Sequence, residues 1–238
     1  MKLLFILLLF LSTTIYASIQ PYQDTYFITG NNTNQAKYQI SFKYNLWSPY
    51  GTGFLAYTQL AHWDVYDQSS PFKDINHNPA IFWEKENIWF DYLRVAPYSH
   101  SSNGKDKEDS RSIESGFIQF KKSIDICKIL NVGIDEKYTH FYKLSNKNHD
   151  YRRYKGNFRT ELFMQLKYKG DYSDQEKIYI VGEWTHKSYF IEYGIMLRIL
   201  VHNIQPKLYL QGYYGTGEFL LNYKEKTKAV RAGFIFSN

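Results

Sequence analysis

The chain has 238 residues, a net charge of +6, a single cysteine, and 19% aromatic residues made up of 23 Tyr, 17 Phe and 5 Trp. One cysteine excludes an internal disulfide framework, and no CxxC pair or His/Cys cluster offers a zinc site. Mean hydropathy is -0.49, and beyond the N-terminal residues no window approaches the roughly 18 apolar residues of a helical membrane span.

In chain order, Met1-Lys2 is followed by the apolar run LLFILLLFL and the small-residue exit STTIYAS. That is the pattern of a secretory signal peptide, 1–17, cleaved after Ala17. Residues 18–238 then make one domain. Export sets nucleic acid aside as a partner for the positive charge and leaves anionic lipid headgroups.

The organising signal after the leader is period two. In AKYQISFKYNLW, Tyr38, Ile40, Phe42, Tyr44 and Leu46 fall on one face and Lys37, Gln39, Ser41, Lys43 and Asn45 on the other, as in a strand with one apolar face. Leu162, Met164, Leu166 and Tyr168 repeat it against Arg159, Glu161, Gln165 and Lys167. Tyr189 to Ile199 repeats it with Glu192 and Arg198 opposite, and Val230, Ala232, Phe234 and Phe236 close the chain in the same way. Further strands are expected at 25–29, 53–65, 79–84, 89–100, 112–122, 124–134, 178–184 and 207–223, the last as one strand or two. The total is about twelve, even as bacterial barrels require.

Pro21, Pro49, Pro71, Pro79 and Pro206 are expected at strand ends or in loops, and Pro97 at a bulge. Cys127 reads as a strand residue, and 142–155, YKLSNKNHDYRRYK, as one long exposed loop. The fold class is all-β, a transmembrane antiparallel β-barrel of about 12 strands. A soluble β-sandwich alternates too, but the aromatic load and the terminal phenylalanines suit lipid.

One stretch departs from this texture. Residues 98–117 read YSHSSNGKDKEDSRSIESGF, without a large apolar residue between Tyr98 and Ile113. His100 and Ser102, two apart, project from one face of an extended strand, which gives a hydroxyl with a base beside it. Asn103-Gly104 is a turn dipeptide. If the turn makes a hairpin, Glu114 enters the neighbouring strand, where its carboxylate can face the imidazole as the third member of a Ser-His-Glu set. Of the other histidines, His62 is a lumen or interface residue, and His140, His149, His186 and His202 fall in turns, loops or strand ends.

This stretch resembles the outer membrane phospholipases A, whose pattern is His-x-Ser-Asn-Gly followed by Ser-Arg-Ser-x-Asn; the chain has HSSNG and then SRSIE. PYQDTYFIT, YTQLAHW, SSPF at 69–72 and YLQGYYGTGEFLLNY match in the family's order, from about Tyr22 to the C-terminus. The resemblance implies a twelve-stranded barrel in the outer membrane of a Gram-negative bacterium, with its catalytic groups on the outer wall. His100 matches the general base and Ser102 the nucleophile that attacks phospholipid acyl esters. The family uses calcium at the interface of an active homodimer, bound by a serine side chain matching Ser110 and by carbonyls matching Lys105 and Ser69. Gln59 matches a glutamine buried between the two barrels. Lys105, Lys107 and Arg111 can attract phosphate headgroups.

At the third catalytic position the family usually has asparagine, and here Glu114 stands. Glutamate accepts the same hydrogen bond, but near lipid it carries a desolvation cost that asparagine avoids, so pairing with His100 or calcium is expected to keep it ionised. The competing reading is a barrel without chemistry, a small channel or structural protein.

Overall fold

The computed structural model describes residues 19–30, 36–46, 52–86, 89–168, 171–185, 188–197 and 206–236, without the side chains of 167–175. The expected leader and Pro49, His186, Arg198, Ile199 and His202 lie outside these residues. The strands are β1 (Ile19–Pro21), β2 (Thr25–Thr29), β3 (Ala36–Leu46), β4 (Thr52–Trp63), β5 (Phe72–Lys85), β6 (Tyr92–Ser102) and β7 (Ser112–Cys127). They continue as β8 (Leu130–Leu144), β9 (Phe158–Tyr168), β10 (Asp171–Trp184), β11 (Tyr189–Leu197), β12 (Lys207–Gly215) and β13 (Thr227–Phe236). From β2 to β13 each strand pairs antiparallel with the next, and β13 returns to β2, Ala232 opposite Thr29 and Phe236 opposite Thr25. The ring is therefore closed with twelve strands, and β1 continues the line of β2 along β3, Ile19 opposite Tyr44.

The two faces of the wall decide between barrel and sandwich. Outward residues are apolar and exposed: Ile40, Leu55, Ile81, Ile118, Leu162, Leu210 and Phe234 among them. Inward residues include charges that a sandwich core would not hold. Lys43 reaches Glu84 at 3.0 Å, Arg94 also bonds Glu84, and Gln119 donates to Asp135 at 2.8 Å. Tyr26, Ile28, Phe163, Tyr179 and Ile235 pack with one another inside the barrel. An apolar exterior around a polar interior is the pattern of a barrel solvated by lipid.

The loops at 64–71, 103–111, 145–157 and 216–226 share one end of the barrel, whereas β7 and β8 are joined at the other end by residues 128–129. Longer loops mark the extracellular end of such barrels.

Four expectations are corrected. The strand or strands expected over 207–223 end at Gly215, and 216–223 belong to the loop before β13. The strand expected from Pro79 begins at Phe72, so Pro79 lies inside β5. Its pairing with Tyr57 on β4 is kept, while the ladder to β6 has no pairs at Asn78 and Pro79, which spares the missing N–H a partner. The turn expected near Ser123 falls instead at 128–129, because Ser123 pairs within the ladder opposite Gly133. The loop expected to be exposed from 142 starts after Leu144 and folds back, burying Asn148 and Tyr151. Pro97 sits where expected, at a register shift between Ala96 and Ser99, and Cys127 is the exposed last residue of β7.

Glu218, in the loop after β12, folds inside and accepts from Arg231 at 2.6 Å and from Lys37 at 3.3 Å. Burial pushes its carboxyl up, but Lys37 and Arg231 outweigh this and hold it below the usual carboxylate value. A depressed pKa stabilises the fold above the unfolded value and loses that contribution as pH falls through the folded one. Glu218→Gln, which removes the buried carboxylate that Lys37 and Arg231 share, should therefore cost about 3–5 kcal/mol at neutral pH. The denaturant midpoint of the refolded barrel should fall, with the gap to wild type closing in acid. An unchanged midpoint at pH 7 would contradict this account of the interior.

Candidate active site

β6 and β7 form the hairpin that carries the residues singled out from the sequence. Their register sets His100 opposite Glu114 and Ser102 opposite Ser112. Opposed residues share a face, with Cβ atoms roughly 4.5–5.5 Å apart, so His100, Ser102 and Glu114 lie together on one side of the sheet. The alternate residues identify that side. Ser99 and Ser115 bond each other at 2.8 Å, Ser115 is buried, and Ile113 packs with Phe141, Tyr151, Leu220 and Tyr223 inside the barrel. His100, Ser102 and Glu114 therefore project outward, among the exposed Tyr98, Ile118 and Tyr142.

Glu114 has a second neighbour that the sequence did not announce: on β8 its ladder partner is Lys143, at a register shift. One turn of the pleat below, Tyr142 lies across Gly116 and donates to the Pro97 carbonyl at 3.2 Å. A Cβ at Gly116 would fall 2.3 Å from the Tyr142 hydroxyl and 2.8 Å from the Ala96 carbonyl. The glycine thus lets an aromatic ring brace three strands beneath the His100–Glu114 pair.

Above the pair, the loop 103–111 is held by one buried side chain. Asn103 donates to the Asp109 carbonyl at 2.8 Å and accepts from the Arg111 N–H at 2.9 Å. Gly104, with φ of 63°, supplies the left-handed turn. The next loop locks against it: Lys147 pairs with Glu108, and Asn148, fully buried, bonds both the N–H and the carbonyl of Ser112. Asn148 thereby extends the hydrogen bonding of β7 past its end at the residue facing Ser102.

Ser69 belongs to the loop 64–71, and Lys105 and Ser110 to the loop 103–111, at the same end of the barrel. Ser69 and Ser70 have φ of 70° and 41°, a cost of order 1–3 kcal/mol each, and the Trp63 indole holds the turn by donating to the Ser70 carbonyl at 2.8 Å. Among the described residues no hydrogen bond engages the Ser69 and Lys105 carbonyl oxygens or the Ser110 hydroxyl. All three are oxygen donors, the type that a hard cation takes, so they fit calcium. No group of three or more His, Cys, Asp or Glu converges among the described residues.

Gln59 lies on the outward face of β4. It donates to the Tyr38 hydroxyl at 2.8 Å and accepts from Tyr57 at 3.3 Å. Tyr57 also bonds Nδ1 of His77 at 2.6 Å, and His77 is the ladder partner of both Gln59 and Ser102. His77 escaped the sequence reading because Pro79 was taken as the start of its strand. The alternation Ile75, His77, Pro79, Ile81 against Asp74, Asn76, Asn78, Ala80 was the available signal. His62 is a lumen residue, stacked on Phe219 with centroids 4.3 Å apart, while His140 meets Tyr142 edge-on and His149 bonds within its own loop.

The family model described as phospholipase A1 matches residues 4–236. A Neisseria meningitidis serogroup B protein named for phospholipase A1 is 26% identical over 223 residues, covering 86% of this chain and 55% of that protein. The phospholipase A1 of Escherichia coli K12 is 23% identical over 227 residues, covering 86% of this chain and 70% of its own. The chain thus spans little more than half the length of the first of these relatives. The solved outer membrane phospholipase A from Escherichia coli superposes with a TM-score of 0.73 at 19% identity, over 95% of this chain and 94% of the other. The Salmonella typhi outer membrane phospholipase dimer with bound calcium gives 0.76 at 18% identity over the same shares. These superpositions establish the fold as that of an outer-membrane barrel, and by its sequence the chain belongs to the phospholipase A1 family.

Proposed function

We propose that the chain hydrolyses acyl esters of membrane phospholipids, with Ser102 as nucleophile, His100 as general base and Glu114 as the third catalytic group. The observation that carries this reading is the His100–Glu114 pairing across β6 and β7, with Ser102 on the same lipid-facing side. A site on the outer wall meets its ester where the substrate already lies, so no deep pocket is needed.

The chemistry follows from these positions. His100 takes the proton of the Ser102 hydroxyl as its oxygen attacks the acyl carbonyl, and returns it to the departing lysophospholipid oxygen. Water, deprotonated by the same imidazole, then releases the fatty acid from Ser102. Glu114 accepts from the other ring nitrogen and stabilises the imidazolium, with Lys143 across the ladder on β8. The Ser110 hydroxyl and the Lys105 and Ser69 carbonyls would hold calcium. Bound there, the ion supplies positive charge that polarises the ester carbonyl and stabilises its oxyanion. Three donors are fewer than the six to eight oxygens calcium takes, which leaves room for water, substrate or a second protomer. The active form is a homodimer that meets through the face of Gln59; the calcium-bound dimer of the Salmonella typhi relative supports the dimeric state.

Refolded barrel in detergent should release fatty acid from phospholipid with calcium and stop with chelator. Ser102→Ala and His100→Ala should each lower the rate on the order of 10³-fold or more. Glu114→Gln should retain activity with a displaced pH profile; an unchanged profile and calcium requirement would refute the coupling of Glu114 to its neighbours. Absence of calcium-dependent release from folded, dimeric wild type would favour a barrel without chemistry.

Gln59→Leu removes the polar contact proposed for the dimer face. Cross-linking should then trap less dimer, and an unaltered dimer fraction would count against that contact.

A further inference from the structure

His77 has no part in the mechanism above, yet it is the residue that joins its two ends. On β5 it pairs with Gln59 of β4 on one side and with Ser102 of β6 on the other. Opposed residues share a face, so the imidazole sits on the outer wall between the proposed dimer contact and the proposed nucleophile.

Its orientation is fixed by a chain of hydrogen bonds. Gln59 donates to Tyr38 at 2.8 Å and accepts from the Tyr57 hydroxyl at 3.3 Å, and that hydroxyl lies 2.6 Å from Nδ1 of His77. A phenol has one proton. The Tyr57 hydroxyl bridges the Gln59 carbonyl and Nδ1 of His77, and so ties the ring to Gln59 whichever of the two takes its proton. The Nε2 edge faces the chain leaving Ser102: a Cβ on Gly104 would stand 3.8 Å from Cδ2 and 3.9 Å from Nε2 of the ring.

The backbone makes that proximity consequential. Between β5 and β6 the ladder pairs Ala80 with Ser99 and then skips Asn78 and Pro79 before His77 meets Ser102. Pro79 stands across from His100 and has no N–H to offer. Ser102 is thus the last residue of its strand, held to β5 by one pair beyond a gap.

We propose that His77 is a positioning residue for Ser102, clamping the end of β6 beyond the Pro79 gap and linking it through Tyr57 to Gln59. The proposal rests on the reading of Ser102 as nucleophile. Occupation of the Gln59 face by a second copy then bears on the nucleophile through side chains, in addition to any shared ion.

The test is steady-state hydrolysis of a phospholipid in detergent by the full chain with calcium, each variant checked for folding by gel mobility before boiling. His77→Ala should lower kcat on the order of 10- to 100-fold with KM unchanged, and His77→Gln, which keeps a polar partner for Tyr57, should recover most of the loss. Tyr57→Phe should lower kcat as well, and the double variant should be no slower than His77→Ala alone. Should His77→Ala fail to fold, Tyr57→Phe alone decides by the same kcat loss at constant KM. An unchanged kcat in folded His77→Ala or in Tyr57→Phe, or losses that multiply in the double variant, would overturn the positioning role. Wild-type hydrolysis that does not depend on Ser102 would overturn both this inference and the reading beneath it.

Discussion

Hydrocarbon supplies no hydrogen-bond partner, so a strand in lipid must be bonded along both edges, and β13 returns to β2 to meet that requirement. Closure fixes the register of each strand against two neighbours at once. Because side chains alternate with period two, register also fixes which residues face lipid and which face the lumen. The location of the candidate site is a consequence of this constraint. Once Ile113 and Ser115 are turned inward, Glu114 must face outward, and pairing with His100 and Ser102 brings those two with it.

A polar site on an apolar wall has to be sustained from its surroundings. Below it, Tyr142 over Gly116 joins three strands. Above it, Asn103 and Asn148 tie loop backbone to the strand ends, and the Glu108–Lys147 pair connects the two loops. The interior contributes stiffness of another kind: Lys37, Gln211, Glu218 and Arg231 join β3, β12, β13 and a loop along one arc of the inner wall. Fully connected buried polar groups favour one arrangement over its alternatives, which is what three side chains borne by two strands need.

Much of this was legible beforehand because alternation is a local signal. AKYQISFKYNLW announces β3 and its two faces without reference to any other strand, and the HSSNG and SRSIE segments announce a hairpin bearing His100, Ser102 and Glu114. Features that depend on pairing were not legible. Pro79 reads as a strand boundary until β4 is seen to pair straight through it. His77 was lost with the residues before that boundary, although it is the partner of Ser102. Lys143 stands opposite Glu114 only because the β7–β8 register shifts there. Asn148 reads as one more polar loop residue, and its burial against Ser112 follows from how the loop folds back.

The central claim is that Ser102, on the outer wall, is activated by His100. The most direct measurement is mass-spectrometric mapping of the refolded, calcium-loaded barrel after reaction with an alkyl fluorophosphonate, which phosphonylates an activated serine hydroxyl with loss of fluoride. The account predicts a single covalent adduct on the peptide bearing Ser102, with labelling largely lost in His100→Ala. An unlabelled Ser102, or labelling at an unchanged rate without His100, would contradict it.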